Sequence, residues 1–195
     1  MDFFESSDDR REVINKVTRF ESMLANQKNY YFDCEEFQDI IEYYLLRSDF
    51  NQAKHVVEYS LNLHPTSVDI KILKTQVLIG FSLYKDALDL VEEIELYEPY
   101  NIDLLLVKGT VLSKLKMSDR AIACFKRCID HSEYIDEVYH FIASEYQRIQ
   151  EYEEAIRYFK LCLINNPENE SALHDLNMCL NAPVITIKQL IFTHI

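Results

Sequence analysis

The sequence predicts an all-helical protein in which helical hairpins are stacked in a row, as in an α-solenoid. Three observations lead to this prediction: a repeat of 34 residues, apolar residues at helical spacing, and a scarcity of turn-forming residues. The 195 residues include two glycines and four prolines, too few for the many tight turns of a β-sandwich or barrel. Apolar residues make up 48% and charged residues 27%, which is the balance of a folded chain.

The repeat consists of four gap-free segments, 34–67, 68–101, 102–135 and 136–169. A small residue recurs in the second half of each segment, as Ala53, Ala87, Ala121 and Ala155. Proline recurs near the end of three segments, as Pro65, Pro99 and Pro167. Residues that favour the helix N-cap precede the first three segments and residues 170–182, which follow the fourth segment. They are Asp33, Ser67, Asn101 and Asn169. Three ladders in one register indicate a structural repeat.

Each repeat has the pattern of two amphipathic helices joined by a turn. In the fourth repeat, Ala155, Phe159 and Cys162 share one face of the second helix. The recurring alanine lets the two helix backbones approach closely, and proline ends the second helix. Short helices are marginally stable alone in water, so we expect stability to come from the stacking of neighbouring repeats.

The two ends of the chain depart from the repeat. Residues 1–33 are predicted to form an N-terminal arm and a capping helix, because 9–26 carry an apolar stripe. The stripe comprises Val13, Ile14, Val17, Phe20, Met23 and Leu24. Residues 170–182 are predicted to form a C-terminal capping helix, the start of a fifth repeat. For the apolar tail, 183–195, three interpretations stay open: an ordered cap, a segment that docks into a groove, or the ragged end of a truncated or frameshifted chain.

The recurring residues resemble those of tetratricopeptide repeats over 34–169. The fourth repeat shows the pattern best, with Tyr139, Ile142, Ala143, Tyr146, Ala155, Phe159, Cys162 and Pro167. The resemblance implies a right-handed α-solenoid of four helix-turn-helix repeats. The second repeat departs from the family pattern, because Lys71, Lys74 and Thr75 occupy sites that are usually larger or apolar. We therefore expect its first helix to pack loosely.

Charge and cysteine content narrow the class of partner and the compartment. The net charge is −13, which disfavours nucleic acid and anionic membranes and favours a neutral-to-basic or apolar protein partner. Five cysteines without a CxxC pair indicate reduced thiols. Neither a secretory signal nor an apolar run long enough to span a membrane is evident in the sequence. We expect a cytoplasmic protein.

The sequence offers no constellation typical of an enzyme. It contains no glycine-rich phosphate-binding loop, no HExxH and no GxSxG motif. Cys124, Cys128 and His131 share a helical face and could ligate a metal, but Cys128 falls at a recurring small-residue site of the core. The core interpretation is favoured. We expect no catalytic residues, no metal and no cofactor.

In tetratricopeptide repeats the first helix of each repeat lines a concave surface that binds extended peptides or a helix. Projected onto this sequence, the resemblance assigns that lining to Glu35, Gln38, Glu42, Leu45, Asp69, Ile72, Gln76, Ile79, Asp103, Leu106, Thr110, Lys114, Glu137, His140, Ser144, Gln147 and Arg148. Four of these are acids spaced by 34 residues, Glu35, Asp69, Asp103 and Glu137. Two interpretations of the acids stay open: contacts to a basic ligand, or compensation of the helix dipole in each first turn.

The resemblance and the missing catalytic motifs together favour a non-enzymatic scaffold for protein–protein interaction, with a peptide or helix bound in the concave groove. The alternative is a structural module that self-assembles, for example as a homodimer, through its terminal faces or its apolar tail.

Overall fold

The computed structural model describes residues 7–26, 30–130 and 134–182. The apolar tail 183–195, the start of the N-terminal arm and His131 lie outside these residues. Within them the chain is entirely helical, which confirms the predicted fold class. The helices are α1 (Ser7–Asn26), α2 (Cys34–Leu46), α3 (Phe50–Leu63), α4 (Val68–Gly80), α5 (Tyr84–Glu95), α6 (Ile102–Lys114), α7 (Ser118–Cys128), α8 (Ile135–Arg148), α9 (Tyr152–Asn165) and α10 (Glu170–Leu180).

The chain divides into two compact units, Met1–Leu96 and Tyr97–Ile195, here called the N-terminal unit and the C-terminal unit. In the N-terminal unit α2 packs against α3 and α4 against α5, while α1 covers α2. In the C-terminal unit α6 packs against α7 and α8 against α9, and α10 follows against α9. Each repeat is therefore one hairpin of two helices, packed within its unit on its neighbours.

The N-caps of four helices form as the sequence predicts. The Asp33 carboxylate accepts a hydrogen bond from the Glu36 amide at 2.8 Å and completes a capping box. The side chains of Ser67, Asn101 and Asn169 each accept a hydrogen bond from the amide three residues ahead and so cap α4, α6 and α10. The fourth repeat differs: α8 begins at Ile135, and its N-cap Tyr134 offers no side-chain hydrogen bond. A polar cap is thus missing where the sequence ladder is interrupted.

The turn inside each hairpin uses one left-handed residue. Ser48, Ser82, Lys116 and Gln150 have φ values of 56°, 61°, 61° and 64°, and they are spaced by 34 residues. In each turn the amide of this residue donates to a carbonyl three residues back; the Ser48 N to Leu45 O distance is 2.9 Å. The next amide donates to a carbonyl five residues back, which completes a Schellman-type end to the first helix. No glycine serves in these turns, and the residue types vary, so the turns have no signature in the sequence.

An aromatic cluster packs α1 against α2 and the segment that precedes α2. The rings of Phe20, Phe32 and Phe37 lie edge-on or tilted, with centroids 5.5–6.1 Å apart. Of the stripe predicted for this helix, Val13, Val17, Phe20 and Met23 are buried. Ile14 and Leu24 are instead 42% and 50% exposed. The contact face of α1 is therefore narrower than the sequence suggested.

The recurring small residues are buried, as expected for side chains where the two helices of a hairpin cross. Ala53, Ala87, Ala121 and Ala155 are all fully buried. Gly109 also lies against its hairpin partner, because a Cβ atom placed there would come within 2.4 Å of the Phe125 ring. Small side chains at these sites allow the close approach of the two backbones. The prolines Pro65, Pro99 and Pro167 lie exposed, beyond the ends of α3, α5 and α9.

The expectation that the first helix of the second repeat packs loosely is wrong. In α4, Ile70 and Thr75 are fully buried, and Leu73 is 5% exposed. The Thr75 hydroxyl donates to the Lys71 carbonyl at 3.1 Å, so its polar group is satisfied within the helix. A threonine of this kind fills an apolar site without an unpaired donor.

Candidate partner-binding surfaces

In the N-terminal unit the predicted lining residues fall on α2 and α4. Glu35, Glu42 and Asp69 are exposed. Gln38, Leu45, Gln76 and Ile79 are half-buried. Ile72 is only 5% exposed, so it supports the surface from below and presents little area to a partner. The family resemblance assigned this residue to the lining, but it lies at the edge of the packed face of α4.

A groove of about 310 Å³ opens between α1, α2 and α4, and we call it the N-terminal groove. It is lined by Val13, Asp39, Glu42, Tyr43, Leu45, Leu46 and Gln76. The structure thus brings together three of the predicted residues, Glu42, Leu45 and Gln76. Sequence reasoning missed the other four: Val13 lies on α1, outside the repeat pattern, while Asp39, Tyr43 and Leu46 lie on α2 beside the positions that the family pattern assigns to the lining.

The charges at this groove are largely paired. Lys16 donates to Asp39 with a Nζ to Oδ2 distance of 2.6 Å, and it also pairs with Glu12 at 3.0 Å. The hydrogen bond to Asp39 raises the pKa of Lys16 to about 12. The Arg47 guanidinium lies over the Tyr43 ring, 5.2 Å from its centroid. The groove therefore combines an apolar wall with a mixed polar rim, and exposed Glu42 adds a negative charge.

In the C-terminal unit the predicted lining residues fall on α6 and α8. Asp103, Lys114 and Arg148 are exposed. Leu106, Thr110, Glu137, His140, Ser144 and Gln147 are half-buried. The hydroxyls of Thr110 and Ser144 donate to carbonyls of their own helices, at 3.0 and 2.8 Å. The hydroxyl protons of Thr110 and Ser144 are therefore already used in hydrogen bonds within their helices.

A polar cluster joins α6 and α8 in the same unit. Glu145, which is 4% exposed, accepts a hydrogen bond from the Ser113 hydroxyl and forms an ion pair with Arg148. Nearby, His140 Nε2 lies 3.4 Å from Asp175 Oδ2 of α10. The sequence did not single out Glu145, because its position holds Val77 and Val111 in the second and third repeats.

The four spaced acids all lie in the first turns of α2, α4, α6 and α8. A negative charge there stabilises a helix by about 0.3–1 kcal/mol. Glu137 differs from the others, because burial and the neighbouring Asp136 raise its pKa. Their placement in the first turns explains the four acids without a ligand, and the carboxylates of Glu35, Asp69 and Asp103 are also exposed to a possible ligand.

Two of the cysteines, Cys128 and Cys162, behave as small core residues. Cys128 and Cys162 are fully buried, and burial raises the pKa of each thiol to about 11. The Cys128 thiol donates to the Cys124 carbonyl at 3.4 Å. The described residues hold no group of three side chains placed to ligate a metal, and none of their helices is long and apolar enough to cross a membrane.

Each repeat is a hairpin whose two helices are joined by the same kind of turn, and each contains one buried alanine at the equivalent position. This arrangement defines the class of α-solenoid repeat proteins. Within that class, the sequence model of the tetratricopeptide repeat matches residues 102–132 and 136–169. These residues match tetratricopeptide repeats, as the resemblance predicted. No curated protein sequence matches it.

Solved structures support the same fold. TTC0263, a tetratricopeptide repeat protein of the thermophile Thermus thermophilus, is 17% identical with a TM-score of 0.70, over 85% of this chain and 89% of its own. A tetratricopeptide repeat protein of Parabacteroides merdae is 14% identical with a TM-score of 0.72, over 89% and 67%. YrrB, described as having an unusual peptide-binding site, is 17% identical with a TM-score of 0.60, over 72% of each chain. Repeats of this family are generally non-enzymatic, and the fold suggests a scaffold for protein–protein interaction.

Proposed function

We propose that this chain is a non-enzymatic scaffold that binds a peptide or helix of a partner protein on the surface formed by its first helices. The N-terminal groove carries the proposal, because it is the place where predicted lining residues converge on a cavity. Its volume of about 310 Å³ fits one or two large side chains.

The chemistry of the groove selects a partner that is neutral to basic, with an apolar anchor. Leu45, Leu46 and Tyr43 provide apolar surface that an anchoring side chain can cover. Glu42 at the rim, together with the net charge of −13, favours a partner without excess negative charge. The description of YrrB shows that a peptide-binding site occurs on a protein of this fold.

The test is a charge-adding double variant of the groove, Leu45→Lys with Gln76→Lys. A partner is first captured from native lysate and identified by mass spectrometry, and its binding segment is synthesised. The variant places two ammonium groups in the contact, so we expect the segment to bind at least about tenfold more weakly in calorimetry.

The matched control adds the same charge to another surface. His55→Lys with Asn62→Lys changes two exposed residues of α3 and should leave the dissociation constant unchanged. Thermal melts followed by circular dichroism establish that both variants remain folded. Equal affinity for the groove variant and the wild type would rule out the N-terminal groove as the binding site.

A further inference from the structure

A second groove, of about 360 Å³, lies between α3 and α4 in the N-terminal unit. Val57 and Val77 form its floor and are 2% and 3% exposed. Phe81 and Leu83 form a wall and are 37% and 46% exposed. None of these residues belongs to the N-terminal groove, so this is a separate apolar surface.

Two lysines and one glutamate, Lys54, Lys74 and Glu58, line this surface, which leaves one positive charge in excess, and we call it the basic-edged groove. Lys54 Nζ lies 3.7 Å from Glu58 Oε1, a loose pair whose side chains are both 57% exposed. Lys74 is half-buried, and no described side chain pairs with it. In a chain with a net charge of −13, this groove has a local excess of positive charge.

Lys74 is also one of the residues that depart from the family pattern. The equivalent residues of the first and fourth repeats, Ile40 and Ile142, are fully buried. The third repeat has Lys108, which is only 9% exposed. An ammonium group held against apolar walls loses hydration, and a carboxylate brought beside it compensates for that loss.

We propose that the basic-edged groove binds a partner segment in which a large apolar side chain is followed by aspartate or glutamate. The apolar side chain occupies the space above Val57 and Val77, against Phe81 and Leu83. The carboxylate then lies between Lys54 and Lys74. This contact is distinct from the proposed function of the N-terminal groove, and it selects the opposite charge.

The test uses two blocked pentapeptides that differ only in charge: one carries phenylalanine followed by two aspartates, the other phenylalanine followed by two asparagines. Each is titrated into the full chain with isotope-labelled methyl groups, observed by NMR. We expect methyl shifts at Val57, Val77 and Leu83. The acidic peptide should bind about two- to fivefold more tightly, as a half-exposed ion pair allows.

Lys74→Met removes the charge and keeps most of the unbranched side chain, so it should reduce that preference at least by half. Lys85→Met makes the same substitution at an exposed site of α5 and should preserve it. Equal binding of the two peptides to the wild type, or an unchanged preference in Lys74→Met, would overturn the proposal, as would shifts confined to Leu45 and Leu46. The Leu45→Lys, Gln76→Lys variant should bind the acidic peptide as the wild type does. This result therefore tests the basic-edged groove separately from the proposed function of the N-terminal groove.

Discussion

Replacing Gly109 with alanine sets helix propensity against packing. In an exposed helix interior the change would stabilise the protein by about 1 kcal/mol. Here the new Cβ atom would lie 2.4 Å from Phe125 Cε1 and 2.7 Å from two further ring atoms. Real Cβ atoms do not approach so closely, so either the ring or the helix has to move.

The surroundings of Phe125 leave the ring little room. It is 2% exposed, and it stacks on Phe141 with the ring centroids 5.3 Å apart. Overpacking of such a core costs about 1–3 kcal/mol, and the short contact places this case in the upper part of that range. After subtraction of the helical gain, Gly109→Ala should lower the free energy of unfolding by about 1–2 kcal/mol.

The chain contains no tryptophan, so urea unfolding is best followed by far-ultraviolet circular dichroism. Because the chain has two compact units, amide hydrogen exchange in α6 and α7 should accompany it to locate the loss. Gly80→Ala is the matched comparison: its Cβ would meet Phe50 at 2.3 Å, but Phe50 is only half-buried and can turn towards solvent. We expect that change to stay within about 0.5 kcal/mol of the wild type.

A second variant isolates the contact itself. Combining Gly109→Ala with Phe125→Leu removes the clashing ring atoms, so the two changes should cost less together than the sum of each alone, by about 1 kcal/mol. A Gly109→Ala protein as stable as the wild type, or strictly additive effects in this cycle, would show that the hairpin crossing tolerates a methyl group and would refute a clash with Phe125.

The remaining predictions concern thiol ionisation and turn geometry. The raised pKa of Cys162 means that its thiol ionises near pH 9 when unfolded and near pH 11 when folded, so its contribution to stability should fall between these values. The free-energy difference between wild type and Cys162→Ala, measured in urea at several pH values, should therefore narrow above about pH 9; a constant difference would contradict this. Gln150→Gly relieves a left-handed φ and should stabilise the protein by about 0.5–1 kcal/mol, whereas Gln147→Gly, in helix α8, should destabilise it by about as much. If both changes destabilise alike in thermal melts, the turn at Gln150 is not strained.

Much of the fold was predictable from the sequence because its determinants are local and recur. Asp33 and Asn101 are N-caps in the structure because their side chains reach an amide three residues ahead, a contact that sequence spacing specifies. The alanine ladder was predictable for a similar reason, since only a small side chain permits a close crossing of two helices. Thr75 was misread as a sign of loose packing, because its hydroxyl finds a partner within its own helix.

The candidate surfaces were less predictable, because each is made by helices from different parts of the chain. The N-terminal groove needs Val13 of α1 beside Tyr43 of α2, and no repeat pattern relates those two positions. Ile72 was assigned to the surface by the family resemblance, yet neighbouring helices bury it. The position of a residue around its helix axis predicts the direction of its side chain, but its exposure depends on the shape of the neighbour.

The left-handed turns at Ser48, Ser82, Lys116 and Gln150 bear on how such a chain can change in length. Each turn is held by main-chain hydrogen bonds, and side chains as different as serine, lysine and glutamine occupy its left-handed position. Because each turn lies inside its 34-residue block, a duplicated block carries its own turn with it. The number of repeats is then limited by how well the faces of neighbouring hairpins pack together, and not by the turns inside the hairpins.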